Sequence, residues 1–202
     1  MKFEGFEILD GTKKIIISAP HAVEQTREGK IKYAEPQTAV LAKKLNLLGY
    51  PAIIKTKNVG DDANYDLENP YKTELLKYCA AHNIMFLIDL HQLSYKREMD
   101  FCLGTGDETN KNLLTHKKLA QDIKNCAEQN NFSMTINDPF AAPSRTVSGF
   151  CSQNNLPSIQ LEINSKLIAP YCNATQMEEV YDLIVKFIGL IEKEFKDENT
   201  LN

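Results

Sequence analysis

The sequence has no excess of positive charge, no long apolar run, no paired-cysteine motif and no nucleophile elbow. Each absence removes a class of protein. Lys and Arg number 23 against 27 Asp and Glu, a formal net charge of −4, so no basic face is available for nucleic acid. No apolar stretch approaches the about 20 residues of a membrane helix, and no membrane partner is expected. The five cysteines, Cys79, Cys102, Cys126, Cys151 and Cys172, are scattered, odd in number and free of any CxxC. That is the usage of reduced thiols in a cytoplasmic protein, not of a disulfide frame or a structural zinc knot. The opening stretch MKFEGFEILDGTKK is polar and carries acids, unlike a signal peptide. There is no GxSxG, and VSGFC offers Ser148 and Cys151 without a placed base, which speaks against a serine or cysteine hydrolase. No repeat, low-complexity tract or linker divides the 202 residues, which read as a single domain over 1–202.

What is present alternates between strand and helix. Short apolar runs predict buried strands at Lys14 to Ser18, Ala52 to Lys55, Ile84 to Leu90 (IMFLIDL) and Ser158 to Ile163 (SIQLEI). Phe101 to Gly104 and Phe132 to Ile136 are further candidates. Helical spacing covers Glu35 to Leu48, with Val40, Leu41, Leu45 and Leu48 apolar and Gly49 as a stop. It also covers Pro70 to His82, Asn110 to Asn130 and Gln176 to Phe195. Asn58 to Pro70 and NDPFAAPSRTVSGF read as loops. This alternation points to a layered α/β fold with a mainly parallel sheet.

In such sheets, ligands bind beyond the carboxyl ends of the strands. The first strand runs into His21, with Glu24 three residues later. The MFLIDLHQ strand ends with Asp89 and His91, and SIQLEIN carries Glu162. Two imidazoles, one carboxylate and a water form a zinc site of catalytic type. His21, Glu24 and His91 are the ligands this pattern suggests, and Zn²⁺ is the cofactor that such a mixture of nitrogen and oxygen prefers. Asp89 lies two residues before His91, on the same side of an extended chain, where it can orient a ring N–H or cap a nearby turn. Glu162 alternates with Ile159, Leu161 and Ile163. A carboxylate inside a buried strand needs a cation or a hydrogen-bond partner, and beside a metal it can act as general base. His82 and His116 fall in predicted helices without partners and read as surface histidines.

The segments SAPHAVEQTREGKIKYAEPQT, DLHQ, MDFCLGT, NDPF and SIQLEINSKL, in this order over residues 18 to 167, resemble the N-formylglutamate amidohydrolase family. They are also similar to the related zinc carboxypeptidases and poly-γ-glutamate hydrolases. The resemblance implies a phosphorylase/hydrolase-like three-layer α/β/α fold around a mixed, mainly parallel sheet, and zinc-dependent cleavage of an amide by metal-activated water. Its substrate would be small and acidic, such as N-formylglutamate or a glutamyl peptide. It makes His21, Glu24 and His91 the metal ligands and Glu162 the catalytic carboxylate. Glu35 is a rival to Glu24, otherwise read as an acid in a first helical turn. DDANYD resembles a carboxylate-binding loop in which Asn64 fits and Tyr65 stands in the arginine's place. Arg145 and Arg97 are then the candidate clamps for a substrate carboxylate, Arg145 being preferred for its loop just before the Glu162 strand. A zinc carboxypeptidase-like peptidase, or a binding module without catalysis, are the alternatives on the same fold.

Overall fold

In the computed structural model, residues 1–106, 117–169 and 174–200 are described, with side chains through 195. A seven-stranded sheet forms the centre of the molecule. In chain order its strands are β1 (Phe6–Leu9), β2 (Ile15–Ala19), β5 (Ala52–Lys55), β6 (Phe86–Leu93), β7 (Phe101–Gly104), β8 (Met134–Ile136) and β9 (Ser158–Asn164). They lie side by side as β1-β5-β2-β6-β9-β7-β8. The four central strands β5, β2, β6 and β9 are parallel, β1 and β7 pair antiparallel to them, and β8 runs with β7. Parallel strands are covered on both faces, which is why β2 and β9 are buried along their whole length; β2 reads as a short, mostly apolar run, whereas β9 alternates Ile159, Leu161 and Ile163 with buried polar residues.

Helices supply the two covers. On one face, α1 (Pro36–Asn46), α3 (Lys117–Gln129) and α6 (Ala174–Thr200) pack on Ile15, Ile17, Ile88, Leu90, Ile159 and Leu161. On the other, α2 (Pro70–His82) and α4 (Val147–Gln153) pack on Ile16, Ile53 and Leu87. The result is the expected three-layer α/β/α arrangement with a mixed, mainly parallel sheet. The helix ends follow local chemistry. Asn69 caps α2 by accepting from the Tyr71 N–H, Pro70 takes its first position, and Asn83 closes it in the left-handed region at φ 53°.

Several expectations need correction. The inward stripe of α1 is Thr38, Leu41, Ala42 and Leu45, so Val40 and Leu48 are exposed. The expected helix from Asn110 begins outside the described residues, as do His116 and Cys172. The polar N-terminus adds an edge strand, β1, and a short helix α5 (Ser165–Ile168) follows β9. The end of the stretch expected as loop, 147–150, opens α4, which is capped by the Thr146 hydroxyl accepting from the Gly149 N–H. Glycine is required there: an added Cβ would stand 2.1 Å from the Pro143 carbonyl oxygen. Between β2 and α1 the chain also makes a separate hairpin of β3 (Gln25–Arg27) and β4 (Lys30–Lys32). Its turn, Glu28–Gly29, has positive φ at both residues, the pattern of a type I′ turn. Among the described residues no helix is long and apolar enough to cross a membrane.

Candidate metal centre and active site

The carboxyl ends of β2, β6 and β9 converge on one cluster. His21 follows β2, and His91 sits near the end of β6. Glu162 is the register partner of His91 on the neighbouring strand β9. Glu35 completes the group. The chain leaves His21, runs out through the β3–β4 hairpin, and returns so that the Glu35 N–H donates to the His21 carbonyl at 2.7 Å. Glu35 is then the residue before α1, and its side chain makes no capping bond to the helix. Its two oxygens serve the cluster: Oε1 lies 3.2 Å from His21 Nδ1, and Oε2 lies 3.2 Å from His91 Nδ1. Oε2 also accepts from the Gln92 N–H at 3.0 Å.

Donor atoms of His21, Glu35 and His91 lie within 4.8 Å of one another, and all three residues are buried. Glu24, the ligand expected from its spacing to His21, is outside this group and exposed. The turn explains it. The Gln25 amide folds inward and donates to the Val23 and Glu24 carbonyls, which anchors the Glu24 main chain and leaves its carboxylate at the surface. Glu35 takes its place among the donors.

The far side of each ring is also held. Asp62 Oδ1 lies 2.8 Å from His21 Nε2, and Asp89 Oδ2 lies 3.2 Å from His91 Nε2. With Nδ1 given to a metal, each ring carries its proton on Nε2 and donates it to one of these aspartates. The donor set therefore fits a divalent ion: two imidazoles and a carboxylate, converging, buried and backed. The site already draws positive charge, since the Lys32 ammonium lies 2.9 Å from His21 Nδ1 and 2.6 Å from Glu35 Oε1.

The electrostatics follow from burial and neighbours. Burial alone would raise the Glu35 carboxyl, but His21 and His91 hold it well below the usual carboxylate range. Burial opposes a charge on His91, yet Asp89 and Glu35 push its pKa well above the usual imidazole value. Burial likewise opposes the Asp62 charge, and His21 and Arg27 overcome it, lowering Asp62. Glu162 goes the other way: burial raises its pKa against a smaller opposing pull from His91. Its Oε1 accepts from Gln160 Nε2 at 2.9 Å.

A cavity of about 530 Å³ opens over the cluster. Its lining includes His21, Glu35, His91 and Glu162, and all three expected carboxylate binders, Asn64, Arg97 and Arg145. Both arginines are exposed. Asn64 Oδ1 accepts from the Val147 N–H at 2.7 Å, which ties its loop to α4. Sequence reasoning missed Asp62, Arg27 and Lys32. They lie on the hairpin and on the loop after β5, where no periodicity marks an inward side chain. His82, expected at the surface, is exposed and stacks on Tyr78.

The profile of the N-formylglutamate amidohydrolase family matches residues 69–169, half of the chain. The chain belongs to the N-formylglutamate amidohydrolase family. The matched half carries Asp89, His91, Arg145 and Glu162, and membership supports a hydrolase role. No curated protein matches the sequence. Solved structures share its fold. An N-formylglutamate amidohydrolase from Ralstonia eutropha aligns with a TM-score of 0.63 at 13% identity, over 95% of this chain and 100% of that one. A bacteriophage poly-γ-glutamate hydrolase gives 0.54 at 14% identity, over 92% and 89%. A metallo-carboxypeptidase from Burkholderia cenocepacia gives 0.58 at 14% identity, over 94% of this chain and 61% of that one.

Proposed function

We propose that this family member is a zinc-dependent amidohydrolase that cleaves an amide bond of a small acidic substrate, such as N-formylglutamate or a glutamyl peptide. The observation that carries the reading is the meeting of His21, Glu35 and His91 with a buried glutamate, Glu162, one strand away. His21, Glu35 and His91 hold the ion. Two nitrogens and one carboxylate suit zinc better than calcium or magnesium, which favour all-oxygen shells. Bound there, zinc supplies Lewis acidity, which acidifies water and polarises a carbonyl.

The chain's own groups do the rest. Asp62 and Asp89 fix the tautomer and orientation of the two rings. Glu162 is the general base: a carboxylate oxygen takes the proton of the attacking water and returns it to the leaving nitrogen. Burial raises its proton affinity, which suits a group that must hold a proton between the two halves of the reaction. Arg145 binds the substrate carboxylate, with Arg97 and Asn64 on the same cavity wall. A cavity of about 530 Å³ suits a small molecule.

Elemental analysis of the purified protein, followed by a screen of N-acylated glutamates and aspartates, tests metal and substrate. Glu162→Gln tests the mechanism. It keeps shape and removes basicity, so zinc should stay near one per chain while turnover falls by about 10² to 10⁴. Loss of zinc with the charge would make Glu162 a ligand, and unchanged turnover would remove it from the chemistry.

A further inference from the structure

We propose that Tyr65 positions Arg145 for the substrate carboxylate, through an aromatic ring shared by two guanidinium groups. This rests on the reading of Arg145 as the carboxylate clamp and deepens it. The Arg145 guanidinium carbon lies 4.2 Å from the centre of the Tyr65 ring, and that of Arg27 lies 4.7 Å from it. The two arginines differ in what else holds them. Arg27 is neutralised, with Nε and Nη2 donating to Asp62 Oδ2 at 2.9 and 2.7 Å. Arg145 pairs with no carboxylate among the described residues, and the ring is its side-chain partner. Stacking uses the face of a guanidinium and leaves its in-plane N–H donors free, the edge that recognises a planar anion.

The surroundings hold this stack in place. The Tyr65 hydroxyl donates to Glu28 at the hairpin turn, and its N–H donates to the Asp62 carbonyl at 2.9 Å. Buried Lys72 donates to the carbonyls of Arg145 and Asp66, at 2.6 and 2.7 Å, joining the two loops beneath the stack. A long side chain held in this way loses less freedom when it binds a carboxylate.

Binding of glutarate, a dicarboxylate with no scissile bond, to the zinc-loaded protein by calorimetry tests this without reference to turnover. Arg145→Met should weaken binding about a hundredfold. Tyr65→Leu should weaken it about threefold to tenfold, and Tyr65→Phe, which keeps the ring, should recover most of that loss. In the Arg145→Met background Tyr65→Leu should add nothing, because it acts through the arginine. Additive losses, or a Phe variant as weak as the Leu variant, overturn the positioning role and leave the clamp standing. An Arg145→Met protein that binds glutarate like the wild type overturns the clamp itself, and a wild type that does not bind glutarate overturns both.

Discussion

The two histidines of the centre are supported in opposite ways. His91 and its partner Asp89 are two residues apart on one strand, so the pleat of β6 alone puts them on the same face. His21 stands just past β2, and its partner Asp62 comes from a loop 41 residues away. That pair exists only once the chain after β5 has folded back over the strand ends. It is also shared, because Asp62 Oδ2 accepts from Arg27 on the hairpin. One chemical task, holding an imidazole by its second nitrogen, is thus met locally on one side and by tertiary structure on the other. Only the second side couples the donors to the cavity wall.

The largest effect should come where the two halves join. Glu35 touches both rings, so Glu35→Ala should strip most of the bound zinc and abolish hydrolysis, as His91→Ala should, while Glu24→Ala keeps both. Metal content after dialysis decides this, and zinc lost from the Glu24 variant but kept by the Glu35 variant would reverse the assignment. Next come the supporting aspartates. Asp62→Asn and Asp89→Asn should each weaken zinc affinity by about 10- to 100-fold in a chelator titration. Only Asp62→Asn should also speed hydrogen exchange in the β3–β4 hairpin, because only Asp62 holds Arg27. Equal exchange in both variants would erase the contrast.

A smaller effect concerns acid. The Asp62 carboxyl is held well below its ordinary value, so the folded protein binds that proton less tightly than the unfolded chain does. The stability this contributes is present in full above the ordinary aspartate pKa, near 4, and is lost as pH falls through the folded value. In metal-free protein, the lead of wild type over Asp62→Asn in Tm should hold down to about pH 5 and shrink below it. A lead that grows on acidification would contradict the pairing. The smallest effect belongs to His82, the described histidine without a carboxylate. His82→Ala should leave zinc content unchanged and alter stability by less than about 0.5 kcal/mol in denaturant unfolding.

The same contrast explains what the sequence could show. Asp89, His91 and Glu162 lie on strands with a strict two-residue period, so their common orientation could be read from spacing. The four parallel strands were legible for a similar reason, since burial on both faces makes β2, β5 and the start of β6 short, mostly apolar runs, and β9 keeps an apolar residue at every second position. Glu35 was visible as a rival to Glu24 for the centre but not as the preferred ligand, because its approach to His21 depends on a hairpin closed by one main-chain bond. Spacing favoured Glu24, yet proximity in sequence does not aim a side chain inward when the intervening turn uses Gln25 for that purpose. Asp62 was hidden by the same long-range folding. The α4 helix was obscured by Ser148 and Gly149, weak helix formers held in place by the Thr146 cap and by the close approach of Pro143.

The hairpin has a consequence for how such a protein can change. It leaves the centre at His21 and re-enters it at Glu35, and the bond between those residues closes the excursion at its base. What lies beyond the base carries Arg27 and Lys32 to the cavity and presents Ile31 and Tyr33 to solvent, 57% and 83% exposed. A change in that segment would therefore reach the cavity wall through Arg27 and Lys32, and through the same two side chains would also reach Asp62, His21 and Glu35.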